Sequence, residues 1–184
     1  MPTIMTHAIV PLALAAALGP SRISRKVAVM GAVLTILPDA DVIGFAFGIQ
    51  YGEEWGHRGA THSIMIAMLV AGAVSIVWSE VRTTFAFLFL ALCMVSHGLL
   101  DTVTNGGLGI ALLWPYENAR YFAPHTPVLV SPIGANFFSA RGLATLISEV
   151  QWIWLPAALI GALGWSIRRI IPGSHEDEGP DLKR

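Results

Sequence analysis

His57-Arg58-Gly59-Ala60-Thr61-His62-Ser63 opens directly into the apolar run Ile64 to Trp78. The first stretch carries two imidazoles, a guanidinium and two hydroxyls, whereas the second carries only Ser75 as a polar side chain. Concentrated polar chemistry at the mouth of an unbroken apolar segment is the pattern of a membrane helix that begins at a functional site. The fold class read from it is all-α: a polytopic membrane protein.

The rest of the chain agrees with that reading. Hydrophobic residues make up 54% of the 184 and charged residues 12%, where a soluble domain carries about a quarter charged; mean hydropathy is +0.64. A net charge of −1 argues against nucleic acid as a partner. The single cysteine, Cys93, rules out an intrachain disulfide and a thiolate metal cage. No Lys or Arg precedes Arg22, so the N-terminus lacks the basic region of a cleavable signal peptide and is expected to stay as a helix.

Working outward, apolar runs lie at Ile4 to Leu18, Val27 to Gly48, Ile64 to Trp78, Thr83 to Leu100 and Glu149 to Ile171. Several are shorter than the roughly 20 residues of a full span, but their flanking polar residues make up the length. About five transmembrane helices are therefore expected, the second kinked or broken at Pro38. Residues 102 to 147, with Pro115, Pro124, Pro127 and Pro132, read as a Pro-rich cap rich in aromatics. One membrane-embedded domain covers residues 1 to 171, and 172 to 184 form a polar tail.

Charge bias orients the chain. With the turn at 22 to 26, Arg82 and the tail in the cytoplasm, eight of the eleven basic residues lie inside and only Arg58, Arg120 and Arg141 lie outside. The N-terminus is then outside and the C-terminus cytoplasmic. His7, Asp39, Asp41, His57, His62, His97 and Asp101 all fall toward the outer side, although none of them was used to orient the chain.

These seven are the candidate site. His97 and Asp101 share one helix face at i, i+4; the pair can bind one metal, Asp101 can bridge two, or a plain His–Asp hydrogen bond can tie helix ends. Asp39 and Asp41 are costly in an apolar stretch, about 2.5–3.5 kcal/mol for a charge at the bilayer centre, unless they sit in a solvated turn. His125 and His175 are left outside the site. Imidazole and carboxylate without thiolate suit Zn²⁺, with Mn²⁺ or Fe²⁺ possible. Seven donors exceed the needs of one four-coordinate zinc, so two divalent ions activating water for phosphoester hydrolysis are expected.

The ordered set Thr6-His7, Leu37-Pro38-Asp39-Ala40-Asp41, His57 to Ser63, Ser96-His97, Asp101, Thr104, Asn105-Gly106 and Trp114-Pro115 resembles the YdjM/YbcI family. The resemblance implies an inner-membrane, metal-dependent hydrolase. That family is in turn distantly similar to the zinc phospholipase C and P1 nuclease group, although no later HxxxH or HxxxE set follows here.

The reading is thus a membrane-bound hydrolase, phospholipase C-like, cleaving a phosphoester of a membrane lipid or lipid-linked substrate. His7, Asp39, His62, His97 and Asp101 are the expected metal ligands. Asp41 and His57 are further ligands or the general base, and Arg58, Thr61, Asn105 and Trp114 the groups that bind substrate, with Arg58 on a phosphate oxygen. The alternative is a metal or proton transporter with the same cluster as a transit site. The nearly bare inner halves of helices 1, 3 and 4 and the lack of an inverted repeat weigh against it. No HExxH motif supports a zinc protease.

Overall fold

The computed structural model describes residues 1–132 and 134–171. The polar tail at 172–184, with His175, lies outside the described residues. Helix α1 spans Ile4–Leu18, α2 Arg25–Leu34, α3 Ile64–Val77, α4 Thr84–Thr102, α5 Ala140–Glu149 and α6 Leu155–Ile170. Among the described residues there is no strand, only two isolated bridges, Thr104 with Val128 and Ile110 with Tyr121.

Four helices start on a hydroxyl that caps them. Ser24, Ser63, Thr83 and Ser139 accept from the backbone N–H groups of Val27, Ile66, Ala86 and Gly142. Each satisfies one of the donors left free at a helix start, worth about 1 kcal/mol. Arg25–Phe47, Thr84–Thr102 and Ala140–Ile170 are long and apolar enough to cross a membrane, and Ile4–Leu18 and Ile64–Val77 are shorter apolar helices. The sequence's five apolar segments are therefore all helical.

Two boundaries differ from the expectation. The second segment is not one α-helix: α2 ends at Leu34 and Leu37–Phe47 continues as a 3₁₀ segment with Pro38 in its first turn. Proline has no N–H to continue the α-helical ladder. The last helix begins nine residues earlier than expected, at Ala140, and runs through a π-helical stretch, Val150–Trp154, into α6. Its 31 residues amount to about 46 Å at 1.5 Å per residue, against a hydrocarbon core about 30 Å thick. The irregular part of the cap is thus shorter than expected, ending near residue 139, where α5 begins.

Helix α4 is central. Its Phe89, Leu90, Cys93 and Met94 form the core with Val27 and Leu34 of α2 and Ala67 and Ala71 of α3. Helix α1 packs along α6 through small residues, Ala13, Ala16 and Ala17 facing Gly161 and Gly164. Outward-facing residues such as Val77, 85% exposed, Ile76 and Leu163 are apolar, as lipid contact requires. One end of the bundle is different: there the start of α1, the break after α2, the residues before α3 and the end of α4 bring polar side chains inward.

Candidate metal centre

The break at Pro38 does two things at once. It frees the Thr35 carbonyl, because Asp39 N–H turns back to Ile36 instead (3.2 Å). His97 Nδ1 donates to that carbonyl at 2.7 Å. A carbonyl can only accept, so Nδ1 carries the hydrogen and Nε2 of neutral His97 presents its lone pair. The 3₁₀ segment then carries Asp39 to the same place, with Oδ1 3.4 Å from His97 Nε2 and 3.6 Å from His62 Nε2.

His62 is fixed in the mirror sense. Thr61 Oγ1 donates to Asp41 Oδ2 (2.8 Å), and His62 Nδ1 lies 3.0 Å from that hydroxyl oxygen and 3.3 Å from Asp41 Oδ2. Its hydrogen therefore sits on Nδ1, and its Nε2 lone pair faces His97 Nε2 at 3.0 Å. Asp101 Oδ2 lies 3.7 Å from His62 Nε2 and 3.9 Å from His97 Nε2. One ligand atom from each of Asp39, His62, His97 and Asp101 falls within 4.8 Å of the others, and all four residues are buried.

Glycine 98 makes this approach possible. A Cβ there would sit 2.7 Å from the His62 carbonyl oxygen, so only glycine lets α4 lie against that backbone. His7 completes the ring of donors: it stacks on His97 with centroids 3.9 Å apart, and its Nε2 is 3.7 Å from Asp101 Oδ1.

No hydrogen-bond partner reaches either nitrogen of His7 or either carboxylate oxygen of Asp39 or Asp101, although all are buried. Buried carboxylates are paired or hold a metal, since burial without compensation is prohibitive. Asp39, Asp41 and Asp101 against the single guanidinium of Arg58 leave two negative charges when the histidines are neutral. Either a proton between the facing imidazoles or a divalent cation relieves this. Without a cation, burial pushes the His62 imidazolium down, but Asp39 and Asp41 outweigh it and hold His62 up to about 9.

A scan against protein families matches the family described as YdjM inner membrane protein over residues 1–171. The chain belongs to the YdjM family. It is 40% identical over 173 residues to "Inner membrane protein YbcI" of Escherichia coli (strain K12), covering 92% of this chain and all of that protein. No solved structure matches. Family and apolar helices together give an inner-membrane location.

In this YdjM-family chain the remaining expected residues take defined positions. Asp41 stands one layer out from the four-donor group. Its carboxylate accepts from His57 Nδ1 (2.7 Å), Thr61 and the Arg58 N–H (3.2 Å). It orients His57 and His62, and the three residues offer a second donor group with ligand atoms within 4.8 Å of one another. His57 keeps Nε2 for the cavity it lines, and its ring centre is 5.5 Å from that of His62.

The residues expected to bind substrate each make contacts within the protein. Arg58 is wholly buried. It donates to the Gly106 carbonyl (2.6 Å) and to Thr104 Oγ1 (3.1 Å), and its Nε lies 3.4 Å from Asp101 Oδ2. Its φ of 69° is left-handed, a strain of roughly 1–3 kcal/mol held in place by these bonds. Gly107, at φ +91°, leaves room for the guanidinium: a Cβ there would lie 2.5 Å from Nη1. Asn105 accepts from Val130 N–H (3.0 Å). Trp114 is away from the cluster, its indole donating to Glu54 in a separate recess with Asn118 and Arg120. His125 packs on Trp152, apart from the centre.

Two residues escaped the sequence reading. Glu149, fully buried, accepts from Thr3 N–H (2.6 Å), Thr3 Oγ1 (2.7 Å) and Thr6 Oγ1 (2.7 Å), which fixes the start of α1 beside His7. Its signal was a carboxylate heading an apolar run. Arg120 clamps the 51–57 loop through the carbonyls of Glu53 (2.8 Å) and His57 (2.9 Å).

Proposed function

We propose that the chain is a membrane-bound metal-dependent hydrolase that cleaves a phosphoester of a lipid or lipid-linked substrate. The observation that carries this reading is the set of buried, unpartnered donors on His7, Asp39 and Asp101 around the facing Nε2 atoms of His62 and His97. His62, His97, Asp39 and Asp101 would hold one divalent ion, zinc being the best match to two imidazoles and two carboxylates. The charge count asks for one resident ion. A second, between His7 and the other oxygen of Asp101, would need an anionic substrate to balance it.

Such an ion supplies Lewis acidity and lowers the pKa of water. The protein's own groups do the rest. Asp41 holds the Nδ1–H tautomer of His57, so Nε2 accepts a proton from the cavity side, as a general base requires. Arg58 holds Asp101 and closes the wall between cluster and cavity. Charge bias in the loops supports a site on the outer side with the N-terminus outside. A zinc-loaded preparation should hydrolyse a phosphodiester, and His57→Ala should keep zinc but lose turnover. Zinc-loaded wild type inert toward every phosphoester tested, yet moving metal across a vesicle membrane, would replace the hydrolase reading by the transporter.

A further inference from the structure

A cavity of about 540 Å³ lies beside the metal centre, between the first residues of α1 and the cap segments at 130–132 and 137–138. That volume is within the range of about 300–1,000 Å³ common to small-molecule sites. The cavity's lining is of two kinds. Tyr51, His57, Arg58 and Gly107 lie together as its polar end; Met5, Val130, Phe137 and Phe138 give it an apolar one. Its rim is apolar and exposed: Ile4 is 53%, Met5 52% and Phe138 89% exposed.

The two aliphatic hydroxyls in its walls are already engaged. Thr3 donates to Glu149 and Ser131 to the Pro132 carbonyl. A sugar or nucleotide in the apolar end would leave its own hydroxyls unpaired, which burial penalises. A hydrocarbon chain has no such groups, and an exposed apolar rim is tolerable where lipid already covers it. At the other end stand His57 and the buried guanidinium of Arg58, which lines the cavity while its Nε faces Asp101 at 3.4 Å. A fixed positive charge there selects an anion.

We propose that this cleft binds a lipid phosphate, its chain between Met5, Val130, Phe137 and Phe138 and its head against His57 and Arg58. It admits the lipid sideways from the leaflet over Ile4 and Phe138. The inference deepens the hydrolase reading by giving its lipid substrate a binding cleft, and rests on that reading only in making the bound lipid a substrate.

The probe is hexadecyl phosphate with a diazirine at the chain terminus, photolysed with the full chain in phosphatidylcholine nanodiscs. Adducts should concentrate on residues 1–5, 130–132 and 137–138, several-fold above those on the lipid-facing end of α3 at Ile76 and Val77. Unlabelled hexadecyl phosphate should displace them; hexadecyltrimethylammonium, of equal chain and opposite charge, and butyl phosphate should not. Val130→Trp, which fills the cleft, should cut labelling several-fold and leave bound zinc unchanged. Adducts spread evenly over lipid-facing helices would overturn the site, independently of how any variant folds. Equal displacement by the two hexadecyl ions would overturn the contact with Arg58 and His57. Cleft labelling in a zinc-loaded protein inert toward every phosphoester would uphold the lipid site while removing the hydrolase reading. Hydrolysis without cleft labelling would do the reverse.

Discussion

Replacing Gly98 by alanine tests the geometry of the centre without touching a donor. The added Cβ would lie 2.7 Å from the His62 carbonyl oxygen, about 0.7 Å short of the 3.4 Å where ordinary contact begins. Both neighbours are backbone, α4 on one side and the residues before α3 on the other, so neither can swing aside as a flexible side chain would. The relief must come from separating the two segments, which moves His62 away from His97 and Asp101 together. Metal sites tolerate about 0.2 Å in ligand distance, so a shift of that size is felt directly. Overpacking costs about 1–3 kcal/mol, and if that falls on the bound state, zinc affinity drops roughly 5- to 150-fold. Competition with a chelator in detergent micelles measures it. Gly72→Ala in α3 is the control, since its Cβ would meet only Phe87 at 4.0 Å, and it should leave affinity unchanged. Unchanged zinc affinity in Gly98→Ala would refute the close approach of α4 to His62 as the device that assembles the site.

Other outcomes follow from the same contacts. Arg58→Ala should lower stability, because Asp101 loses its buried counter-charge, at about 3–5 kcal/mol in the metal-free protein; it should lower zinc content as well if the 3.4 Å contact is what holds the Asp101 carboxylate in place. Arg58→Lys should recover little, since an ammonium cannot span Gly106, Thr104 and Asp101 as the guanidinium fork does; full stability in Arg58→Lys would contradict that bracing. Glu149→Ala strands the buried donors of Thr3 and Thr6, at about 1–3 kcal/mol each, and should lower the melting temperature, whereas an unchanged value would make that network dispensable. The pH dependence has a definite sign. His62, held up to about 9 without metal, must lose its proton to bind zinc, so zinc binding at pH 8 should release about one proton and affinity should rise up to pH 9. The metal-free protein keeps His62's stabilisation fully below about 6.5 and loses it as pH rises through 9, so its melting temperature should fall over that window. A flat melting profile without metal would contradict the assignment.

What could be read in the sequence was local. Ser63 and Thr83 announce helix starts through their own side chains, and His97 and Asp101 share a face by helical spacing alone, so both were legible. Pro38 told where α2 ends. Long-range partnerships were not legible. Nothing near Arg58 in sequence says that Thr104, Gly106 and Asp101 brace it, and so its burial was not foreseen. Asp39 and Asp41 are equivalent in the motif, but at three residues per 3₁₀ turn they point to different sides, one into the donor group and the other toward His57 and Thr61. The start of α5 was missed for a different reason. Thr145, Ser148 and Glu149 are buried while Leu143 is 61% and Ile147 51% exposed, the inverse of a soluble helix. Read with apolar residues inward, that stretch looked like loop.

The central claim is that His62, His97, Asp39 and Asp101 hold a metal ion, and elemental analysis of the purified protein tests it most directly. Wild type and His125→Ala, purified in detergent without added metal or chelator, should carry about one divalent ion per chain, zinc the expected one. His97→Ala and Asp39→Ala should carry little or none while remaining folded by circular dichroism. No bound metal in wild type, or metal undiminished in folded His97→Ala and Asp39→Ala, would contradict the account.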